Sequence, residues 1–122
     1  MLKRILFITS VFLVVLCTMS LAQTWNQVNT DGFGDPGNYE ARSMEIYASK
    51  LNVGTYNSQT GGEVWAYGWV DDGMKWVQIN TDGFGDAGNT DIASLQIANN
   101  KMYAGVSAVT GNARIFEFDF YH

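Results

Sequence analysis

The heptapeptide Asn-Thr-Asp-Gly-Phe-Gly-Asp occurs at residues 29–35 and returns 51 residues later at 80–86. The register extends on both sides of this motif through eight matched pairs, in which residues 25, 27, 37, 38, 43, 46, 50 and 54 are identical to those 51 positions later. A period of about 20–50 residues marks a solenoid, a propeller or an array. The chain is therefore a repeat protein, with repeats of about 25–75 and 76–122.

The first 22 residues have the layout of a secretory signal peptide. Lys3 and Arg4 form a positive region, 5–16 is an almost unbroken apolar run, and the small residues at 20 and 22 precede Gln23. The apolar run is shorter than the roughly 20 residues that a membrane span needs. We expect cleavage after residue 22, a mature domain at 23–122 without a membrane span, and a secreted or periplasmic location. A retained N-terminal anchor is the alternative.

The mature chain is acidic and contains no cysteine. Removal of the signal leaves five Lys and Arg against 12 Asp and Glu, and it also removes Cys17, the single cysteine. Without disulfides, packing or assembly must hold a secreted domain of this size. The acidic balance argues against nucleic acid and anionic lipid as partners, and it is compatible with divalent cations.

Short runs of alternating apolar residues between glycine-rich turns predict an all-β fold. We expect strands at 24–29, 44–48, 51–55 and 63–69, and the set repeats at 76–80, 95–97, 102–106 and 115–120. Period two places aromatic side chains in one stripe per repeat: Trp65, Tyr67 and Trp69, then Phe116, Phe118 and Phe120. Core packing between stacked sheets is the favoured interpretation of both stripes, over a platform for ligands.

Four strands per repeat at this period describe a propeller blade. We predict two four-stranded antiparallel propeller-type blades per chain, with the outer strand offset to the N-terminus. The 76–80 strand completes the first blade, whereas the second blade lacks its outer strand. Two blades cannot close a ring of about 4–8 blades. We therefore expect a homo-oligomer, favouring a trimer, in which the Trp25 strand completes a neighbour's second blade. A fragment of a longer propeller and a two-sheet sandwich are the alternatives.

Two stretches are similar to the repeats of known propeller families. Residues 71–76, Asp-Asp-Gly-Met-Lys-Trp, resemble the Asp-box of sialidase-type propellers, although Trp69 stands where that box usually has serine. Residues 51–55 followed by 61–67 and Trp76 resemble a kelch blade, with Gly-Thr in place of the Gly-Gly doublet. The resemblance implies a propeller fold. It does not imply an activity, because such boxes are structural and propellers host many functions.

The loops that contain the two heptapeptides, at 29–35 and 80–86, are called the Gly-Asp loops. They are the strongest candidate sites for a cation. Carboxylate and amide oxygens between glycines suit Ca²⁺, which takes about 6–8 oxygen ligands. The alternative is that these Asp and Asn side chains hydrogen-bond their own turns. The candidate ligands form two equivalent sets: Asn29, Asp31, Asp35 and Asn38, then Asn80, Asp82, Asp86 and Asn89.

The mature chain offers no recognisable catalytic set. His122, the only histidine, is the C-terminal residue, so no Ser-His-Asp or Cys-His arrangement can be built. Sialidase-type enzymes clamp their substrate with several arginines, whereas the mature chain has only Arg42 and Arg114. Paired carboxylates keep a glycosidase open as a weaker alternative.

Aromatic rings beside amides and carboxylates are the residue types that hold sugars. We therefore expect a non-enzymatic binding module, with a glycan or another surface ligand as its target. The candidate ligand-binding residues are Trp25, Trp76, Tyr56, Asn38 and Asn89. Ordinary packing is the competing interpretation for the tryptophans, and an extracellular scaffold without a small ligand is the competing function.

Overall fold

The computed structural model describes residues 23–121, which form an all-β structure. The predicted signal peptide at 1–22 and the terminal histidine lie outside the described residues. The strands are β1 (Glu40–Tyr47), β2 (Lys50–Tyr56), β3 (Val64–Val70), β4 (Gly73–Gln78), β5 (Asn89–Ala98), β6 (Lys101–Ala108) and β7 (Arg114–Phe118). Two short 3₁₀ turns span Asp31–Gly34 and Asp82–Gly85. Within the described part, no helix has the length and hydropathy to cross a membrane.

All strand pairs are antiparallel, as the sequence predicts, and they join into one sheet of seven strands. The order is β4-β3-β2-β5-β6-β7, and β1 pairs with β2 beside this path. β1–β4 form a first unit of four strands, and β5–β7 form a second unit of three. The two units meet in the sheet at a single residue pair, Tyr56 opposite Asp91.

The predicted strand at 24–29 is wrong for the single chain. Residues 23–29 are not in a strand, and Trp25 is 97% exposed. A strand needs a neighbour for its backbone N–H and C=O groups, and no described strand pairs with this segment. The outer strand that was expected at the N-terminus is therefore not part of the sheet.

Each unit has a front face, which carries its aromatic stripe, and a back face on the opposite side. Cross-strand register places Met44, Val53 and Trp65 in one row of the first front face; Ile46, Leu51, Tyr67 and Trp76 form the next row. The equivalent rows of the second unit are Leu95, Ala104 and Phe116, then Ile97, Met102 and Phe118. Every strand position shared by the two sets is offset by 51 residues, so the sequence repeat is also a structural repeat.

The hydrophobic core lies between the two units. The back face of the first unit contributes Tyr47 and Val64, which pack against Leu95, Met102 and Ala104 from the front face of the second. Ile92 is fully buried in the same cluster, and Phe116 and Phe118 pack against it. The core-packing interpretation of the aromatic stripe therefore holds for Phe116 and Phe118.

The front face of the first unit is open. Met44 is 65% exposed, Ile46 69%, Trp69 68% and Met74 50%, whereas the back face of the first unit covers the equivalent front face of the second. Exposed apolar residues grouped on one face are typical of interaction sites. Of the first aromatic stripe, Trp69 is exposed, whereas Trp65 and Tyr67 are half-buried. Packing of this stripe against a stacked sheet stays a prediction.

Candidate functional site

The two Gly-Asp loops have the same left-handed backbone. In the first, Gly32, Phe33 and Gly34 have φ of 61°, 57° and 92°; in the second, Gly83, Phe84 and Gly85 have φ of 56°, 55° and 90°. Glycine adopts these angles freely, whereas a side chain in this region costs about 1–2 kcal/mol. A phenylalanine kept there in both loops must be held by its surroundings.

Ring stacking holds both phenylalanines, but in different environments. Phe33 stacks on Trp65 with ring centroids 5.3 Å apart and meets Trp76 edge-on at 4.9 Å. Phe84 stacks on Phe116 at 4.0 Å. Phe84 packs against the core and closes its loop from below. Phe33 belongs to a half-buried aromatic cluster on the open front face.

The predicted metal-binding side chains of the first loop brace its turns. Asp35 Oδ1 accepts a hydrogen bond from Gly37 N at 2.7 Å, and Asn38 Nδ2 donates to Gly32 O at 2.9 Å. Asp31 Oδ1 accepts from Gln27 Nε2 at 2.7 Å, and Asn29 Nδ2 donates to Thr30 O at 2.9 Å. These bonds are those of turn-forming Asp and Asn residues.

The second loop repeats three of these bonds and replaces one. Asp86 accepts from Gly88 N at 2.8 Å, Asn89 donates to Gly83 O at 2.9 Å, and Asp82 accepts from Gln78 at 2.7 Å. Asn80 instead joins strand β3, because its Oδ1 accepts from Val64 N at 2.6 Å. Among the described residues, no three His, Cys, Asp or Glu side chains are grouped to hold a metal ion. Calcium binding by either loop stays a prediction.

A buried polar network lies beneath the first loop, and the sequence interpretation missed its central residue, Glu63. Glu63 is 2% exposed, and its Oε2 accepts hydrogen bonds from Asn38 Nδ2 and Trp65 Nε1, both at 2.7 Å. Asn38 Oδ1 accepts from Thr55 Oγ1 and from Asn57 Nδ2. The same Asn57 amide donates to Asp35 Oδ2 at 3.1 Å. The network thus ties the loop to strands β2 and β3.

Two carboxyl groups face each other in this network. Burial raises the pKa of Glu63, and the neighbouring Asp35 raises it further, although hydrogen bonds from Asn38 and Trp65 oppose the shift. The hydrogen bond from Gly37 N–H is the main cause that lowers the pKa of Asp35. The physical result is one ionised carboxylate, Asp35, beside one carboxyl group that retains its proton to higher pH than usual.

The second unit neutralises the same position with a cation. Arg114 occupies the place of Glu63, offset by 51 residues, and its Nη1 donates to Asp86 Oδ2 at 2.9 Å and to Asn89 Oδ1. The hydrogen bond from Gly88 N–H and then the Arg114 guanidinium lower the pKa of Asp86. The two neighbouring carboxyl groups beneath the first loop, Asp35 and Glu63, are therefore specific to the first unit and are not required by the repeat.

We expect Glu63→Gln to stabilise the protein at pH 7 and to leave it nearly unchanged near pH 4. A carboxyl whose folded pKa is raised contributes stability below its unfolded pKa of about 4.3 and loses it as pH rises through the folded value. Glutamine can accept from Asn38 and Trp65, and its amide can donate toward Asp35 at every pH. Urea unfolding from pH 4 to 8 measures the difference, with Glu45→Gln on β1, where the carboxylate accepts from Ile46 N, as the control. Parallel curves for Glu63→Gln and the parent protein would refute the raised pKa.

A cleft of about 670 Å³ lies beside the first loop. Its wall combines the rings of Phe33 and Tyr39 with polar groups of the loop and of β1: Gln27, Asn29, Asp31, Asn38 and Glu40. Tyr39 is 62% exposed, and Gln59 Nε2 donates to its hydroxyl at 3.1 Å, which fixes the edge of the ring. In the cleft, several of the predicted oxygen ligands meet an exposed aromatic ring.

The predicted ligand-binding residues do not form one site. Asn38 lies at the wall of the cleft but is only 8% exposed, and Asn89 is 1% exposed at the equivalent position of the second unit. Trp76 stacks on Tyr67 at 4.8 Å in the front-face cluster, and Tyr56 is half-buried where the two units meet. Trp25 projects from the N-terminal segment. Tyr39 was missed because the equivalent residue of the second repeat is Thr90, so that the tyrosine does not recur.

Comparison of the chain with protein-family models, curated proteins and solved structures found no significant similarity.

Proposed function

We propose that the chain is a secreted, non-enzymatic binding module of the β-propeller type, whose ligand is a glycan. The propeller part is supported by two equivalent antiparallel units that stack front face to back face, and the secreted part by the signal-like N-terminus. The single observation that carries glycan binding is the cleft beside the first loop. It places an exposed tyrosine ring next to amide and carboxylate groups.

The composition of the cleft favours a particular class of sugar. An aromatic ring offers a flat apolar surface to the C–H face of a pyranose, while amides and carboxylates take its hydroxyl groups. Asp31 and Glu40 line the cleft, and none of the described residues in its lining is Lys or Arg, although Arg42 Nη1 pairs with Glu40 Oε2 at 3.0 Å from outside the lining. We therefore propose a neutral or amino-bearing glycan, because the carboxylate of a sialic or uronic acid would meet like charge.

Between residues 23 and 121, the first unit has such a cleft and the second unit lacks its equivalent. The second unit has Thr90, 6% exposed, in place of Tyr39, and Asp91 in place of Glu40. Asp91 is held by Arg42, whose Nε and Nη2 donate to its two oxygens at 3.0 and 2.9 Å. The proposed stoichiometry is therefore one glycan per chain.

We expect a glycan array probed with residues 23–122 to show neutral sugars bound and sialylated sugars unbound. Tyr39→Ala should weaken binding about tenfold or more, since truncation of a central aromatic anchor costs about 2 kcal/mol. Tyr39→Phe retains the ring and is the matched control. Parallel arrays with Ca²⁺ and with a chelator separate any contribution of the predicted calcium sites.

Three outcomes would change the proposal. Failure to bind any sugar would favour the extracellular scaffold. Equal binding by Tyr39→Ala and the parent would place the glycan outside the cleft. Hydrolysis of a sugar, lost in Asp31→Asn or Asp82→Asn, would make the protein a glycosidase.

A further inference from the structure

Trp76 on β4 makes three contacts that close the first unit. Its ring stacks on Tyr67 at 4.8 Å and meets Phe33 edge-on at 4.9 Å, and its Nε1 donates to Val28 O at 2.8 Å. These contacts are made by the outer strand of the unit, because β4 pairs with β3 alone.

The second unit has residues equivalent to the three partners of Trp76, but it has no tryptophan between them. The residues offset by 51 from Tyr67, Phe33 and Val28 are Phe118, Phe84 and Ile79. All three line one predominantly apolar cavity of about 330 Å³, together with Leu95, Met102 and Phe116. Within the described chain no side chain occupies this cavity as Trp76 occupies the equivalent place.

The edge beside this cavity is also open. β7 pairs with β6, and no other described strand pairs with it. The residue equivalent to Trp76 on the N-terminal side is Trp25, which is 97% exposed in a segment that is not in a strand. In its own chain this segment lies near β4, since Val28 contacts Trp76, and β4 and β7 are at opposite ends of the strand order.

We propose that residues 24–29 of a second copy of this chain pair with β7 and insert Trp25 into the 330 Å³ cavity. This inference rests on the propeller part of the proposed function and not on its glycan part. The repeat fixes the register, because Tyr67 lies opposite Trp76 and Ala66 opposite Val77 in the first unit. Trp25 of one copy therefore lies opposite Phe118 of the next, and Asn26 opposite Glu117.

The same stacking of one unit on the next would also bury the open front face of the first unit. In the chain, the unit that follows β4 packs its front face against the back of the unit that β4 completes. In the assembly, the back face of the acceptor's second unit accordingly covers the front face of the donor's first unit, including Met44. That back face carries Ile115, 76% exposed, beside the Tyr103, Lys101 and Glu117 cluster. A head-to-tail contact of this kind closes into a ring, for which three copies supply six units.

Light scattering on residues 23–122 gives the first test. The parent protein should be an oligomer at micromolar concentration, and Trp25→Ala should raise the concentration for half-dissociation at least tenfold. Val109→Ala, at a residue that is 73% exposed in the loop after β6, is the control and should assemble normally. A monomeric parent protein, or unchanged assembly of Trp25→Ala, overturns the proposal.

A cysteine pair gives the second test, which also fixes the register. The mature chain has no cysteine, so Asn26→Cys with Glu117→Cys introduces the only two thiols. Cross-strand neighbours lie within the range of about 4.4–6.8 Å between Cα atoms that a disulfide spans. Oxidation should give covalent oligomers, whereas Asn26→Cys with Asn112→Cys should not. A disulfide within one chain would show that the segment completes its own β7, and absence of any disulfide would refute the register. Neither readout involves a sugar, so failure of glycan binding leaves this inference intact.

Discussion

Gly61→Ala is expected to lower the free energy of unfolding by about 3 kcal/mol or more, since overpacking and backbone strain act together. Gly61 has φ of 106°, and a Cβ added there would lie 2.6 Å from Gly83 N and 2.7 Å from Gly83 Cα. Both colliding atoms are backbone, so no side-chain rotation relieves the contact. Gly83 N also donates to Gly62 O at 2.8 Å, which makes this the place where the β2–β3 turn meets the second loop.

Gly111→Ala separates strain from collision. Gly111 also has a left-handed φ of 82°, but a Cβ there would meet nothing within 4 Å. Its replacement should cost about 1 kcal/mol, the penalty of the backbone angle alone. Urea unfolding of both variants at one pH measures the two losses. Equal losses would show that the close approach of Gly61 and Gly83 does not hold the units together.

The repeat predicted much of the fold because period and pairing are local properties. Alternating apolar residues indicated the strands that became β1–β3 and β5–β7, and the strand predicted at 76–80 overlaps β4. The 24–29 segment has the same pattern as β4 but is not a strand. A strand requires a partner edge, and the sequence of the segment contains no information on whether its own chain provides one.

The difference between the two units could not be read from their similarity. The repeat predicts the same environment for Trp65 and Phe116, yet Phe116 packs against the core while Trp65 lies on the open front face. The two stripes differ because of the stacking order of the units. The first unit has a neighbour only on its back face, whereas the second unit has one on its front face. In a repeat array each unit buries its faces against neighbours, so the terminal faces remain for a partner.

The site was predicted least well where the repeat breaks. Asp35 and Asn38 were singled out because they recur, and both lie in the first loop as expected. Glu63 and Tyr39 were missed because their counterparts are Arg114 and Thr90. Substitutions between otherwise matched repeats were the sequence signal that could have found them, since the shared positions maintain the fold and the differing ones distinguish the two loops.

Gly54→Ala should cost about 2–3 kcal/mol, and Gly105→Ala, at the equivalent position of the second unit, should cost less than about 1 kcal/mol. A Cβ on Gly54 would lie 2.4 Å from Ile92 Cγ2 and 2.6 Å from Ile92 Cβ, and Ile92 is fully buried in the core. A Cβ on Gly105 would meet only Ser94, whose exposed hydroxyl can rotate away. Both glycines are in matching strands, with a serine of the adjacent strand opposite each. The difference therefore measures the packing of the second unit on the first.

Thermal unfolding of both variants in the Trp25→Ala background excludes effects of assembly, and equal destabilisation would show that Ile92 does not anchor one unit to the other.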